Sequence, residues 1–452
     1  MNIPFNNIFR IILVAGVFLL LAPLVFLVSS FVQAQRRSSI PHADMVIAVM
    51  DTAPWSEMIK IGIAPLSNDT GEELSSLLQF WGEENNPYVS LRWQHTVVSI
   101  PTDKVDWDTL LDDGRPPLPG KEEAVAGAFC DLSSFDFKGK HYQVVGKLKR
   151  AVGALAFSYV VLSEGQQEDS EDWITGWLAP SGLSNLQDNE SIQETIEGTA
   201  EKPVFLGEDF PLDTDLAGWN ILALLLVAYG ASVLWCTLFT VHRSTEGSFW
   251  AKSFGIFKDH RRLLVNIHFV LYGTFFAFLF AGEQFPLLRR QLVDLTSGMF
   301  RDGNLQFIGD AYASGDILRA SFATWAWNFG AATLTLTLLP SIVIPFWGLA
   351  KTLLSFALVG FLMAPTWSDT ALHMSYHCIT MALEFEAYIL ACFATVLFPW
   401  KILKGLLSGE LTKSMKESLD IFTGTTLFSA IILAVAAIYE ASTIILFSGV
   451  SP

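Results

Sequence analysis

Cysteine and positive charge are both scarce in this chain. Of four cysteines among 452 residues, Cys236, Cys378 and Cys392 fall inside long apolar runs, which leaves Cys130 alone in the large polar segment. A disulfide within that segment is therefore excluded, and the segment must be held by a core of its own. Lys and Arg number 28 against 45 Asp and Glu, and the net charge of −17 has the wrong sign for gripping phosphates, so nucleic acid is not an expected partner. Part of the excess acid sits in one stretch, with Glu168, Asp169, Glu171 and Asp172, which reads most simply as a solvated surface. No Cys-x-x-Cys or His-Glu-x-x-His spacing offers a metal site. A nucleotide fingerprint is missing too. The run GRPPLPGK from Gly114 to Lys121 approaches a phosphate-binding loop but is one residue too long, and Glu122 stands where a Ser or Thr would ligate magnesium. No catalytic residue, cofactor or metal is expected, and any ATP hydrolysis must come from a partner chain.

What the chain has in quantity is apolar sequence. It is 51% hydrophobic and 16% charged, and several runs exceed the ~18 residues that mark a membrane-crossing helix. About seven spans are expected, near 9–33, 217–241, 263–285, 319–341, 343–365, 372–400 and 421–448. The first is open to two readings. It is a retained anchor by its length, or a signal peptide by the small-residue pattern Val32-Gln33-Ala34 with Arg10 before the apolar run. Either way, residues 35–215 are exported. The chain then divides into 1–34, an exported domain at 35–215, and a six-span membrane domain at 216–452 with a basic cytoplasmic loop at 242–262. Orientation follows from the short loops, because cytoplasmic ones carry excess Lys and Arg. Segment 242–262 holds Arg243, Lys252, Lys258, Arg261 and Arg262 against Glu246 and Asp259, and 401–420 holds Lys401, Lys404, Lys413 and Lys416. Both belong inside. Arg36 and Arg37 argue the other way, but a domain as long as 35–215 translocates largely regardless of charge.

Within the exported segment the pattern changes to short apolar or alternating runs, MVIAVM, HTVVSI, HYQVVGKL and AFSYVVL, separated by Gly, Pro, Asn and Asp. These predict strands, with helical turns around Glu72–Trp81 and Trp107–Leu111, hence a mixed α+β domain. The acidic stretch 165–200, poor in apolar anchors, is expected to be an irregular excursion. Gly114, Arg115 and Pro117 form one turn signal, and Pro119, Gly120 and Glu123 a second. Gly139, Tyr142, Val144, Val145 and Gly146 follow in a strand. This constellation of about fifty residues resembles the periplasmic core domain of macrolide-exporter-type permeases in the FtsX superfamily. The resemblance implies a domain for docking, sensing or force transmission beside a cytoplasmic ATPase, in the inner membrane of a bacterial cell. Apart from the family, the prolines fix φ, Gly120 permits a tight turn, and Tyr142, Val144 and Leu148 alternate onto one face.

The membrane part raises the sharper question, because ionisable groups in a span cost roughly 2.5–3.5 kcal/mol each on insertion scales. Span 372–400 carries His373, His377, Glu384 and Glu386. At 100° per residue, His373, His377 and Glu384 fall within about 40° of one another, and Glu386 points away. Such a polar stripe suits either hydrogen bonds that lock neighbouring helices or a path for protons or a polar substrate. A metal site would need further ligands. Asn328, His268 and Asn266 are candidates for bonds across helices, and Gly330 and Gly360 for close packing. Pro340 and Pro345 are expected to break the run 319–365 in two. Asn328, Gly348, Glu384, Phe385 and Ala387 together resemble the pattern of the stage II sporulation protein M family over about residues 319–405. His377 is followed by Cys378 where that family has Gly, and Glu384 comes seven residues after it rather than four. The resemblance implies a multispan protein acting in an envelope complex, with no catalytic chemistry.

Aromatic and cationic residues alternate through 249–262, so this loop is either a helix lying on the inner leaflet or a coupling element for an ATPase, through Lys252, Lys258, Arg261 and Arg262. Taken together, the expectation is a non-enzymatic membrane subunit of an exporter-like or envelope-remodelling complex, partnered by lipids, other membrane subunits and a cytoplasmic ATPase. A transporter or channel using the His/Glu stripe is the alternative.

Overall fold

The computed structural model describes residues 45–47, 59–66, 95–101, 105–149, 153–163, 173–178, 204–205, 226, 256–257, 259–301, 303–364 and 371–447. Ten strands form one mixed sheet: β1 (Met45–Ile47), β2 (Ile59–Pro65), β3 (Thr96–Pro101), β4 (Leu111–Gly114), β5 (Glu123–Ala126), β6 (Ser134–Phe137), β7 (Lys140–Leu148), β8 (Ser158–Ser163), β9 (Ile174–Leu178) and β10 (Val204–Phe205). Their order is β10-β1-β9-β2-β3-β8-β5-β7-β4, with β6 also paired to β7. The β3–β8 and β5–β7 pairs are parallel and the rest antiparallel. A one-turn helix, α1 (Trp107–Leu110), precedes β4, and a 3-10 turn, Gly153–Phe157, precedes β8.

Period-two geometry gives this sheet two apolar faces. Val98, Ile100, Val125 and Val160 pack with Ile61, Ile63 and Leu148 on one side, while Val97, Ala124, Ala126, Tyr159 and Val161 pack with Phe135 and Cys130 on the other. Central strands buried on both faces explain why HTVVSI and AFSYVVL read as continuous apolar runs. Each of the four expected runs contains a strand, residues 45–47 being the part of MVIAVM among those described. The acidic stretch is corrected in part: its residues 174–178 are β9, seated between β1 and β2, with Trp177 and Leu178 buried. The expected turn at Glu72–Trp81 lies outside the described residues.

The helical part comprises α2 (Arg261–Gln284), α3 (Pro286–Arg301), α4 (Gln306–Ala313), α5 (Ile317–Trp325), a π-helical segment (Ala326–Leu338), α6 (Leu339–Val343), α7 (Trp347–Leu362), α8 (Ala371–Ser408) and α9 (Leu411–Phe447). Four stretches are long and apolar enough to cross a membrane: Arg261–Gln284, Ile317–Val343, Ile379–Ser408 and Leu411–Leu446. They match four of the expected spans. The expected span 343–365 is the 16-residue α7, shorter than the ~20 residues a perpendicular crossing needs. Expected spans 9–33 and 217–241 lie outside the described residues, residue 226 excepted. The break in 319–365 falls at Pro345 as expected and not at Pro340, through which helix continues. It comes at 344–346, where Phe346 adopts φ 63° and α7 begins anew.

Small residues let two helices approach closely. A methyl on Gly360 would collide with Phe275 O, and one on Gly282 with Phe361 O, so α2 and α7 approach backbone to backbone. Gly330, expected to play the same part, has nothing within 4 Å of the position a methyl would take.

The contacts sort the molecule into two ends. At one, Leu287 of α3 packs against the sheet core, the Arg290 guanidinium lies 5.0 Å from the Phe157 ring centroid, and Arg289 Nε donates to Leu362 O at 3.1 Å. Leu305 and Ile308 meet Ile445 at this end as well. At the other, His260 lies in the field of Lys401 and Lys404, and Gly405 packs on Ser414 across the α8–α9 turn. Lys401 and Lys404, with Arg261 and Arg262 next to His260 in the chain, therefore lie at the end opposite the sheet, while Arg289 and Arg290 lie at the sheet end.

Candidate functional site

Helix α8 lies at the centre of the bundle: most of its apolar stretch is buried, whereas most of α2's is not. Glu384 and Glu386, two residues apart on it, are on roughly opposite faces and find different partners. Asn328 Nδ2 donates to Glu384 Oε1 at 2.6 Å. On the other side, His268 Nε2 is 2.9 Å from Glu386 Oε2, and Tyr272 donates its hydroxyl to Glu386 Oε1 at 3.2 Å. The Glu386 side chain is 2% exposed and His268 15%. His268 and Tyr272 are one turn apart on α2, so a single face presents both to one carboxylate. Phe275, Phe356 and Phe385 pack beside them, with Phe356 and Phe385 rings 4.3 Å apart, and this apolar wall keeps water from competing for the hydrogen bonds.

Asn328 sits in the π-helical segment, and threonines explain its wide turn. The hydroxyls of Thr333, Thr335 and Thr337 donate to the carbonyls five residues back, of Asn328, Gly330 and Ala332, at 2.6–2.7 Å. Such segments often accompany function. Glu440 of α9 lies within electrostatic reach of Glu384, and Tyr388 feels both carboxylates. Two further bonds tie the bundle across: Trp325 Nε1 to Ala430 O at 3.0 Å and Ser429 Oγ to Ala387 O at 2.8 Å.

The residues of the expected stripe are placed as follows. Glu384 is engaged, His377 is half-buried on the same helix, and the side chain of His373 lies outside the described residues. Asn328 and His268 bond across helices as expected, whereas Asn266 is exposed. Among the described residues, no three His, Cys, Asp or Glu side chains are grouped to hold a metal ion. Of the basic loop, Arg261 and Arg262 stand exposed in the first turn of α2, and Lys252 and Lys258 lie outside the described residues. Sequence reasoning set Glu386 aside and passed over Tyr272 and Glu440. The available signals were the i, i+4 spacing of His268 and Tyr272 and the position of Glu440 as the one carboxylate in the run 421–448.

The sheet supplies a second constellation. Arg115 grips Glu123 through two bonds of 2.7 Å, and Leu118 N donates to the same carboxylate at 3.0 Å, so the two turn signals are clasped together. The hydrogen bonds from Arg115 hold the Glu123 carboxyl down at about 2. Gly114 and Gly146 pair across β4 and β7, and a methyl on Gly114 would meet Gly146 Cα at 2.5 Å. Gly114, Gly120 and Gly139 all take positive φ, which explains glycine at those turns. A cavity of about 310 Å³ lies beside this edge, lined by Asp113, Cys130, Ser133, Val144 and Lys147 among others. Cys130 Sγ is 3.5 Å from His95 Nδ1. Burial pushes the thiol up to about 12 and the imidazole down, so both are neutral at pH 7 and the pair supplies no thiolate nucleophile.

The chain matches no family model, no curated protein and no solved structure.

Proposed function

We propose that this chain is a non-enzymatic membrane subunit in which a sheet domain outside the cytoplasm docks or senses a partner, and a helical bundle passes the resulting movement to a cytoplasmic ATPase. The observation that carries the reading is the sorting of the two ends. The sheet rests on α3, the helix that directly follows α2, through Leu287 and the Arg290–Phe157 contact, while Lys401 and Lys404 lie with His260, beside Arg261 and Arg262, at the far end. Excess Lys and Arg belong on the cytoplasmic side, so this arrangement favours an exported sheet and an inner membrane. A rigid helix joined to the sheet at one end of a span is a direct route for force.

The resemblance to exporter-type permeases supports the same reading, because the residues that carry it, Arg115, Glu123, Gly114 and Gly146, converge on one sheet edge. Asn328 and Glu384, two of the residues that carry the resemblance to the sporulation family, meet at 2.6 Å. Segment 242–262 is the proposed ATPase contact. A transporter with an intramembrane polar path is the second reading, favoured by two carboxylates on one span that bond to different helices.

Topology is the first test. With single cysteines at Ser184 and Ser248, an impermeant thiol reagent on intact cells should label the first and spare the second. The reverse pattern would invert the proposal. Charge reversal at Lys258, Arg261 and Arg262 should then weaken co-purification of an ATPase, and unchanged recovery would remove the coupling role.

A further inference from the structure

The bond between α2 and α8 can be audited proton by proton. His268 Nδ1 lies 2.8 Å from Leu264 O, one turn back on α2. A carbonyl oxygen only accepts, so Nδ1 carries a hydrogen. In a neutral imidazole Nε2 is then a bare acceptor. It nevertheless sits 2.9 Å from Glu386 Oε2, and an ionised carboxylate is also acceptor-only. Two bare acceptors at that distance repel. Turning the ring over gives no escape, because it would set Cδ2 against Leu264 O and Cε1 against the carboxylate, losing both bonds. The other carboxylate oxygen is already used, as acceptor from Tyr272.

We infer that His268 and Glu386 hold one additional proton between them, and that this bound proton joins α2 to α8. The ligand is a proton. It resides either on Nε2, making an imidazolium beside a carboxylate, or on Oε2, making a carboxylic acid that donates to neutral imidazole, and the hydrogen-bond geometry is the same for both. Among the described residues, Glu386 is the charged group that acts on both His268 and Tyr272. Phe356 from α7 and Ser429 from α9 pack on this part of α8 and do not titrate, whereas the carboxylates Glu384 of α8 and Glu440 of α9 lie toward its other face, where Asn328 of the π-helical segment bonds Glu384. When the proton leaves, the two acceptors face each other and the joint opens, so helix pairing becomes sensitive to pH. This inference is independent of the subunit reading, since it rests on contacts within the bundle.

The test counts protons on the intact protein in lipid nanodiscs near pH 7. Nitrogen NMR of labelled histidine, with His268 assigned from the His268→Asn variant, reports each ring nitrogen. Infrared spectroscopy reports a protonated Glu386, assigned by loss of its band in Glu386→Gln, or by its displacement in Glu386→Asp should the Gln variant fail to fold. Either two protonated ring nitrogens or an acid band is the expected result. Hydrogen on Nδ1 alone together with an ionised Glu386 would overturn the inference. In a second measurement, the thermal midpoint of the natural protein should fall as pH is raised through loss of that proton. Glu386→Gln, whose amide donates to Nε2 without titrating, should not follow this fall. Parallel curves for the two proteins would also overturn it.

Discussion

Sheet and bundle each hold a glutamate against a nitrogen group, under opposite constraints. At the sheet edge Arg115 is 47% exposed and Glu123 12%, and water stands ready to replace either partner. In the bundle, with His268 15% and Glu386 2% exposed, little water can. An exposed ion pair contributes little to stability, and the value of the Arg115–Glu123 clasp lies in fixing two turns against each other, together with the bond from Leu118 N. A buried pair is different in kind. Its net contribution against an apolar replacement is small, but removal of one partner strands the other. The same chemistry therefore sets geometry in one region and becomes indispensable in the other.

The strongest way to break this contrast is Glu386→Ala. It leaves His268 Nε2 and the Tyr272 hydroxyl without a partner and opens a cavity, and we expect a loss of about 2–4 kcal/mol in unfolding from detergent or bicelles. The double variant His268→Leu with Glu386→Leu should recover much of that loss, because no buried polar group is then stranded. Recovery that fails to appear would mean the pair contributes net stability, contrary to the comparison.

A smaller effect is expected at Glu384, which has one neutral partner rather than a base. Glu384→Leu strands the Asn328 amide and should cost ~1–3 kcal/mol, read in the same unfolding assay. Glu384→Gln keeps shape and hydrogen bonding and should remain close to the natural protein in stability. If the second reading of function holds, the Gln variant folds yet loses transport, which separates a polar path from a structural lock. A stable, fully active Leu variant would defeat both.

Much of this contrast was open to sequence reasoning, for reasons that differ by region. The strands at 96–101, 140–148 and 158–163 were legible because β-branched runs between turn residues have few other uses, and the turns because Gly114, Gly120 and Gly139 need positive φ. Four spans were legible by length alone. Periodicity also separated Glu384 from Glu386. It could not say what lay across from either, since that depends on which helix packs against which face, a property of the whole bundle. For this reason Glu386 looked idle although it holds the more buried bond. The π-helical segment was equally hidden, because its threonines read as ordinary span residues. Strand β9 was missed since its five residues lie among acidic flanks that dominate the local composition.

The mildest and most local effect should come from Arg115→Gln. Glu123 is held at about 2, below its ordinary 4.5, by the Arg115 hydrogen bonds. The folded state thus binds fewer protons than the unfolded chain in that interval. The contribution of the carboxylate is fully present above pH 4.5 and is lost as the pH falls toward 2. Hydrogen exchange on peptides from 123–126 and 140–148, corrected for the intrinsic rate, reads this locally, since Gln143 N donates to Glu122 O beside the clasp. In the natural protein, protection should decline across that interval. Without the guanidinium the Glu123 pKa rises toward its ordinary value, so the variant should start somewhat less protected at pH 6 and show a flatter decline, with the two curves meeting near the low-pH limit. The bundle peptides should be indifferent to the substitution. Parallel curves would show that Arg115 does not act through the Glu123 charge, and the exposed half of the comparison would then rest on turn geometry alone.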